Sequence, residues 1–119
     1  MSTNRPLLIL HYQVNPANEA AFEEWYSAYM KRFMKRVPEM VTGRRVVSEQ
    51  NGMKEFLTIY EIESPEKVAQ AMANIMQDTP ERIKDSGEWH EWEKTTLSSL
   101  RDAVYTQLQY EDRCCSCCK

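Results

Sequence analysis

The dipeptide Asn51-Gly52 is the strongest turn signal in the chain, and it lies between two runs that read as strands, Met40–Gln50 and Lys54–Ile62. A type I′ turn needs positive φ at both central residues, which Asn-Gly adopts with least strain, so the two runs are expected to pair as a hairpin. In the second run Phe56, Thr58, Tyr60 and Ile62 alternate with Leu57, Ile59 and Glu61, the period of a pleated strand. Helix-start signals flank the hairpin. Asn15-Pro16 precedes it and Ser64-Pro65-Glu66 follows it, each a capping residue with proline at the first helical position.

The rest of the chain fits around this centre. Pro6–Val14 is apolar and β-rich and reads as a strand. A long helix is expected from Pro16 to the stop at Pro38, with Phe22, Trp25, Tyr26, Tyr29, Met30, Phe33, Met34 and Val37 at helical spacing. That stripe covers about half the circumference, wider than the ~100° a one-sided surface helix needs, so the helix should touch more than a sheet. Glu19, Glu23 and Glu24 lie early and Lys31, Arg32, Lys35 and Arg36 late, which complements the helix dipole. The basic cluster reads as a solvated helix end rather than a phosphate site. After Ser64, Val68, Ala71, Met72, Ile75 and Met76 form a second stripe. Thr79-Pro80-Glu81 starts a short segment through Lys84, Ser86-Gly87 reads as a break, Glu88–Leu100 as a helix and Asp102–Tyr110 as the last strand.

The order β-α-β-β-α-(α)-β is the split βαβ, or ferredoxin-like, arrangement: an α+β fold with a four-stranded antiparallel sheet and helices on one face. Several strands are apolar on both parities, so the bare sheet face is expected to be covered by a second copy, giving a homodimer. The 119 residues suit one domain, taken as residues 1–111, with 112–119 as a flexible tail. All four cysteines, Cys114, Cys115, Cys117 and Cys118, fall in that tail, which excludes a disulfide framework across the body. A net charge of −3 argues against a nucleic-acid binder. No apolar run is long enough for a transmembrane helix, and Met1–Arg5 lacks a signal-peptide core, so a cytoplasmic protein is expected.

Phe22-Glu23-Glu24-Trp25-Tyr26, Val37-Pro38-Glu39-Met40, Gly43-Arg44-Arg45 and the run Phe56–Glu66 together resemble EthD-type members of the dimeric α+β barrel superfamily. The resemblance covers most of residues 7–110. It implies a homodimer with one small cavity per subunit between helices and sheet. Relatives include polyketide cyclases, cofactor-free monooxygenases, lactone isomerases and haem-degrading enzymes. Many EthD-like proteins carry a His about one turn after the Trp-Tyr pair. Met30 stands there in this chain, so no catalytic residue is carried over.

The residues themselves offer candidates for proton transfer. His11 lies mid-strand, where one parity would line a cavity, and is a candidate general acid or base. His90 and Glu93 are three apart on the late helix and share a face. Glu93 is expected among apolar neighbours, where desolvation would raise its pKa. Tyr60 is a candidate hydrogen-bond donor to an enolate. Tyr12, Trp25, Tyr26, Tyr29, Trp89 and Trp92 are candidates to line a flat apolar pocket, with core packing as the alternative for each. The functional expectation is a lyase, isomerase or monooxygenase acting on a small aromatic or polyketide-like ligand without a cofactor or metal site. A non-catalytic ligand- or protein-binding dimer is the alternative, and a haem or metal protein using His11 or His90 is the third reading. A chain ending at Glu111 is expected to fold with an unchanged melting temperature; aggregation of that truncation in a thermal melt would refute the assignment of 112–119 as a tail.

Overall fold

The computed structural model describes residues 4–109 and 111. The cysteine-rich segment therefore lies outside the described residues, as does Tyr110. The elements are β1 (Leu7–Val14), α1 (Glu19–Arg36), β2 (Met40–Gln50), β3 (Met53–Ile62), α2 (Val68–Met76), α3 (Pro80–Thr95) and β4 (Leu97–Tyr105). Short 3-10 turns, Pro16–Asn18 and Pro65–Lys67, lead into α1 and α2. The Asn15 side chain caps the first by accepting from the Ala17 amide at 3.0 Å. The sheet order is β2-β3-β1-β4, and every neighbouring pair is antiparallel. The hairpin forms as the sequence demands, with Asn51 at φ 55° and Gly52 at φ 78°. The architecture is the α+β split βαβ, with the helices on one face of the sheet.

The two faces differ sharply. Leu8, Tyr12 and Val14 of β1 and Phe56, Thr58, Tyr60 and Ile62 of β3 are buried under the helices. Their neighbours Leu7, Ile9, His11, Leu57 and Ile59 point the other way and are only partly covered. Two clusters make up the core. One gathers Leu8, Phe33, Val37, Met40, Tyr60, Ile62 and Ala71. The other, around Tyr12, Phe22, Tyr26 and Phe56, is mostly aromatic. The wide stripe of α1 finds its extra contact in α3: Trp25 lies 5.9 Å from Trp89 and 6.0 Å from Trp92, centroid to centroid, and the Trp25 indole donates to Glu88 at 2.7 Å.

Two boundaries depart from the sequence reading. Ser86-Gly87 does not break the chain; α3 runs through it without interruption. Glycine inside a helix costs only about 1 kcal/mol. Three anchors offset that here: the Thr79 hydroxyl accepts from the Arg82 amide at the start, and Asp85 and Glu88 are bonded to α1 on either side of the glycine. The last strand runs from Leu97 to Tyr105 rather than from Asp102 to Tyr110, with Leu97 paired to Val14 and Ser98 to Gln13. A register shift between His11 and Gln13 absorbs Ser99, which takes φ 55°.

Gly43 of β2 pairs with Tyr60, and a Cβ there would meet the Tyr60 ring at 3.0 Å and the Met30 methyl at 2.9 Å. Met30 can swing aside, but the buried tyrosine ring cannot. Gly43→Ala is expected to destabilise the fold by about 1 kcal/mol or more, the cost of overpacking; chemical denaturation checks this, and an unchanged midpoint would show that the ring is free to move.

Candidate functional site

A cavity of about 340 Å³ opens between the sheet and the helices. Leu8, Leu10, Tyr60 and Leu100 form its floor and Tyr29 and Phe33 one wall. Met72, Ile75 and Met76 of α2 and Asp85, Trp89 and His90 of α3 close the other sides. This size falls at the small end of ligand pockets. A second hollow, about 490 Å³, lies at the far end of β1 among Glu19, Lys54, Lys94 and Thr96. Its volume is larger, but it carries no buried polar side-chain atom without a partner among the described residues.

The first cavity does. Among the described residues three buried side-chain polar atoms lack a hydrogen-bond partner: Arg5 Nε, Arg36 Nε and the Tyr60 hydroxyl. Two of these three residues, Arg36 and Tyr60, line this one cavity. Leaving a buried polar group unmatched costs about 1–3 kcal/mol, although both atoms are themselves shielded, with almost no surface facing the cavity. Tyr60 is held rigidly, 1% exposed, with its ring 4.7 Å from that of Phe33.

Arg36 is positioned by an ion-pair cluster. Asp85 is 4% exposed in its side chain and takes Arg32 Nη2 at 2.9 Å and Arg36 Nη1 at 2.8 Å. The expectation of a solvated basic helix end is thus corrected for these two residues. Arg32 and Arg36 turn toward α3 because a buried carboxylate awaits them there, and removing one partner of such a cluster is strongly destabilising. Sequence reading missed Asp85 because its segment was read as the edge of a loop; Pro80 three residues from Ile83 and a carboxylate one turn before Trp89 were the available signal.

The predicted site residues are distributed unevenly. Tyr60, Tyr29, Trp89 and His90 line the cavity. Tyr12 and Tyr26 are fully buried in the aromatic core beside it, and Trp25 and Trp92 pack around that core. His90 sits at the rim with its side chain 77% exposed and donates from Nδ1 to Glu93 Oε1 at 3.0 Å. The pair forms as the spacing requires, but Glu93 is not enclosed by apolar groups. Its side chain is 33% exposed, because α3 turns its apolar side through Trp89 and Trp92 instead. His11 lies on the sheet face away from the helices, with Arg101 at 3.3 Å and Glu55 at 3.7 Å from its Nδ1. It does not reach the cavity.

Behind Tyr60 runs a buried polar chain. Thr58, fully buried, is hydrogen-bonded through Oγ1 to the hydroxyls of Tyr12 at 3.1 Å and Tyr26 at 2.9 Å. Arg45 Nε donates to the Tyr12 hydroxyl at 2.9 Å, and its guanidinium lies 4.3 Å from the Tyr26 ring centroid. Glu23 takes both Arg45 terminal nitrogens, at 2.6 and 2.9 Å. Burial pushes the hydroxyl pKa of Tyr12, Tyr26, Tyr29 and Tyr60 above the ordinary 10.0, with Thr58 and Arg45 partly opposing this at Tyr12.

Solved structures share this architecture, among them these three. SnoaB, a cofactor-independent oxygenase from Streptomyces nogalater studied as a point mutant, aligns at 15% identity and TM-score 0.60 over 89% of this chain and 96% of its own. A putative antibiotic biosynthesis monooxygenase from Bacillus cereus aligns at 12% and 0.58, over 92% and 99%. A NIPSNAP-like domain protein from Burkholderia xenovorans aligns at 11% and 0.53, over 92% and 90%. This chain has the α+β, ferredoxin-like fold that these structures share. No protein-family model and no curated protein matches the sequence. The EthD-like resemblance therefore rests on its residue motifs. Among the described residues no helix is long and apolar enough to cross a membrane, and no three His, Cys, Asp or Glu side chains gather as a metal site.

The raised tyrosine pKa values carry a pH dependence. In the unfolded chain these hydroxyls ionise near 10.0, whereas in the fold they hold their protons to higher pH. Their contribution to stability is complete below pH 10 and is lost as pH rises beyond it, since the unfolded state then releases more protons. The melting temperature is expected to fall steeply above pH 10, with tyrosinate absorbance rising together with unfolding. Ionisation of all described tyrosines near pH 10 in a still-folded protein would contradict the burial.

Proposed function

We propose that this protein is a small-molecule enzyme of the cyclase, isomerase or cofactor-free oxygenase kind, acting on a flat, largely apolar ligand held in the 340 Å³ cavity. The observation that carries the reading is the pair of unmatched donors, Tyr60 hydroxyl and Arg36 Nε, in residues lining one apolar cavity. A ligand oxygen would receive the Tyr60 hydroxyl once that group turned into the cavity on binding, and such a donor stabilises the charge of an enolate as it forms. His90, on the same wall and bonded to Glu93, would exchange the proton with solvent. The likeness to a cofactor-independent oxygenase supports this class of chemistry. Trp89 and Tyr29, whose ring centroids are 5.8 Å apart, would offer the ligand's rings a shared aromatic wall.

The protein works as a homodimer in this proposal. Leu7, Ile9, Leu57 and Ile59 make an apolar strip on the uncovered sheet face, with Val46 43% and Tyr105 41% exposed beside it. A second copy packed on the same strip would bury it by twofold symmetry. His11 would then belong to the subunit interface.

The test is a panel of bicyclic and tricyclic aromatic ketones incubated with the protein in air, with products followed by mass spectrometry. Conversion of at least one is expected, with kcat lowered about 10²-fold by Tyr60→Phe, the usual effect of removing one such donor. Native mass spectra should show a dimer for both proteins. Ligands bound tightly but never converted would instead favour a non-catalytic binding dimer, and binding indifferent to Tyr60→Phe would remove the cavity as the site.

A further inference from the structure

Tyr29 and Arg36 both line the first cavity. They stand about two turns apart on α1 and so share one helix face. The Tyr29 ring is fixed on several sides: Trp25 stacks on it at 4.9 Å, and Phe33 and Trp89 lie 6.0 and 5.8 Å away. Arg36 is fixed by Asp85, which accepts from its Nη1 at 2.8 Å. Among the described residues neither the Tyr29 hydroxyl nor Arg36 Nη2 makes a hydrogen bond, and neither is one of the fully enclosed unmatched atoms. Both therefore keep surface, in two side chains that are otherwise packed. The charge at this wall is also unbalanced. Two guanidinium groups, Arg32 and Arg36, share the single buried carboxylate of Asp85. Glu81 lies 3.7 Å from Arg36 Nη1, but it is half-exposed and water screens its charge. Arg82, in the same wall, donates to Asp78 at 2.8 Å. Arg36 thus reaches the cavity without a buried counter-charge of its own. Asp102 enters the cavity from β4, the edge strand, and brings a negative charge there.

We infer that Arg36 and Tyr29 form the anion-binding end of the cavity, and that its ligand is an aromatic acid, an apolar ring system carrying one carboxylate. This rests on the reading of the cavity as the ligand site and narrows the class of ligand it takes. The carboxylate would accept from Arg36 Nη2 and from the Tyr29 hydroxyl, both charge-assisted bonds and so stronger than bonds to a neutral oxygen. It would supply the counter-charge that Asp85, shared with Arg32, leaves incomplete. The rings would lie against the leucine, methionine and aromatic carbon of the remaining walls. Asp102 would repel the same carboxylate from the β4 side, so one orientation of the ligand is favoured over its reverse.

The probes are a naphthoate and the matching naphthamide, which share a shape and differ in charge, titrated calorimetrically into the full-length protein at neutral pH. The carboxylate is expected to bind about tenfold tighter than the amide, the advantage of a charged over a neutral acceptor. Tyr29→Phe keeps the ring in its stack and removes one donor. It should cut the advantage to about threefold, as loss of one of two bonds implies, and leave the amide affinity nearly unchanged. Arg36→Gln should abolish the advantage. If Arg36→Gln does not fold by circular dichroism, because Asp85 has lost a partner, Arg36→Gln combined with Asp85→Asn is read the same way. An amide bound as tightly as the carboxylate by the unaltered protein, or an advantage that survives Arg36→Gln, would overturn the anion-binding end and leave the cavity reading standing. An advantage lost in Arg36→Gln but whole in Tyr29→Phe would overturn the part given to Tyr29. Binding of neither compound at millimolar concentration would overturn both the anion-binding end and the cavity reading.

Discussion

The Thr58 hydroxyl is the polar atom on which the interior of this protein turns. It sits fully buried in the central strand β3, under α1, and joins two tyrosine hydroxyls from different elements. A tyrosine inside a core brings apolar bulk and one polar atom that must be matched. Here β1 supplies Tyr12, α1 supplies Tyr26, and one threonine matches both. The angle of α1 over the sheet is thereby specified, since sliding the helix would strip two buried hydroxyls of partners. The aromatic rings follow from that placement. Tyr12 stacks between Phe56 at 5.7 Å and Tyr26 at 5.9 Å, and Arg45 caps the stack.

The second polar anchor, Asp85 with Arg32 and Arg36, does for α3 what Thr58 does for α1. A buried ion cluster adds little net stability compared with a well-packed apolar one, but it tolerates few alternatives. It ties the middle of α3 to the end of α1 on one side of Gly87, while Trp25 and Glu88 tie it on the other. Between these anchors the helices cannot close fully on the sheet, and the cavity is the space that remains. Its walls combine leucine, methionine, isoleucine and aromatic carbon with Arg36, Arg82, Asp85, Ser86, His90 and Asp102. An apolar body bordered by polar side chains is the composition of a site that binds a largely apolar molecule and orients it through its polar groups.

Local signals made much of this legible. Asn51-Gly52 could serve only one kind of turn, and the two prolines after capping residues marked the starts of α1 and α2 without help from elsewhere. The alternation of Phe56, Thr58, Tyr60 and Ile62 with Leu57, Ile59 and Glu61 separated the two faces of β3, and the structure buries the first set. Glycine at 87 was read as a break because, locally, it is one. The bonds that carry the helix across it come from residues more than fifty positions away. Glu93 illustrates the same limit. On a helical wheel it falls near Trp89, yet the real exposure of a position depends on which neighbour packs over it, and this one is left a third exposed and bonded to His90.

The sequence by itself determined the element order, the hairpin and the periodicities, because turns, caps and alternation act over a few residues. From these follow the split βαβ topology and the presence of one bare sheet face. The tertiary structure alone decided what each polar group does. Tyr12 and Tyr26 read as pocket walls in sequence but are consumed by Thr58, whereas Tyr60, beside them on the sheet, is left with a buried hydroxyl that has no partner among the described residues. Arg36 read as a solvated helix end but turns inward onto Asp85. Hydrogen-bond matching is a property of groups brought together from distant positions, and no local pattern encodes which of several similar side chains will be left without a partner.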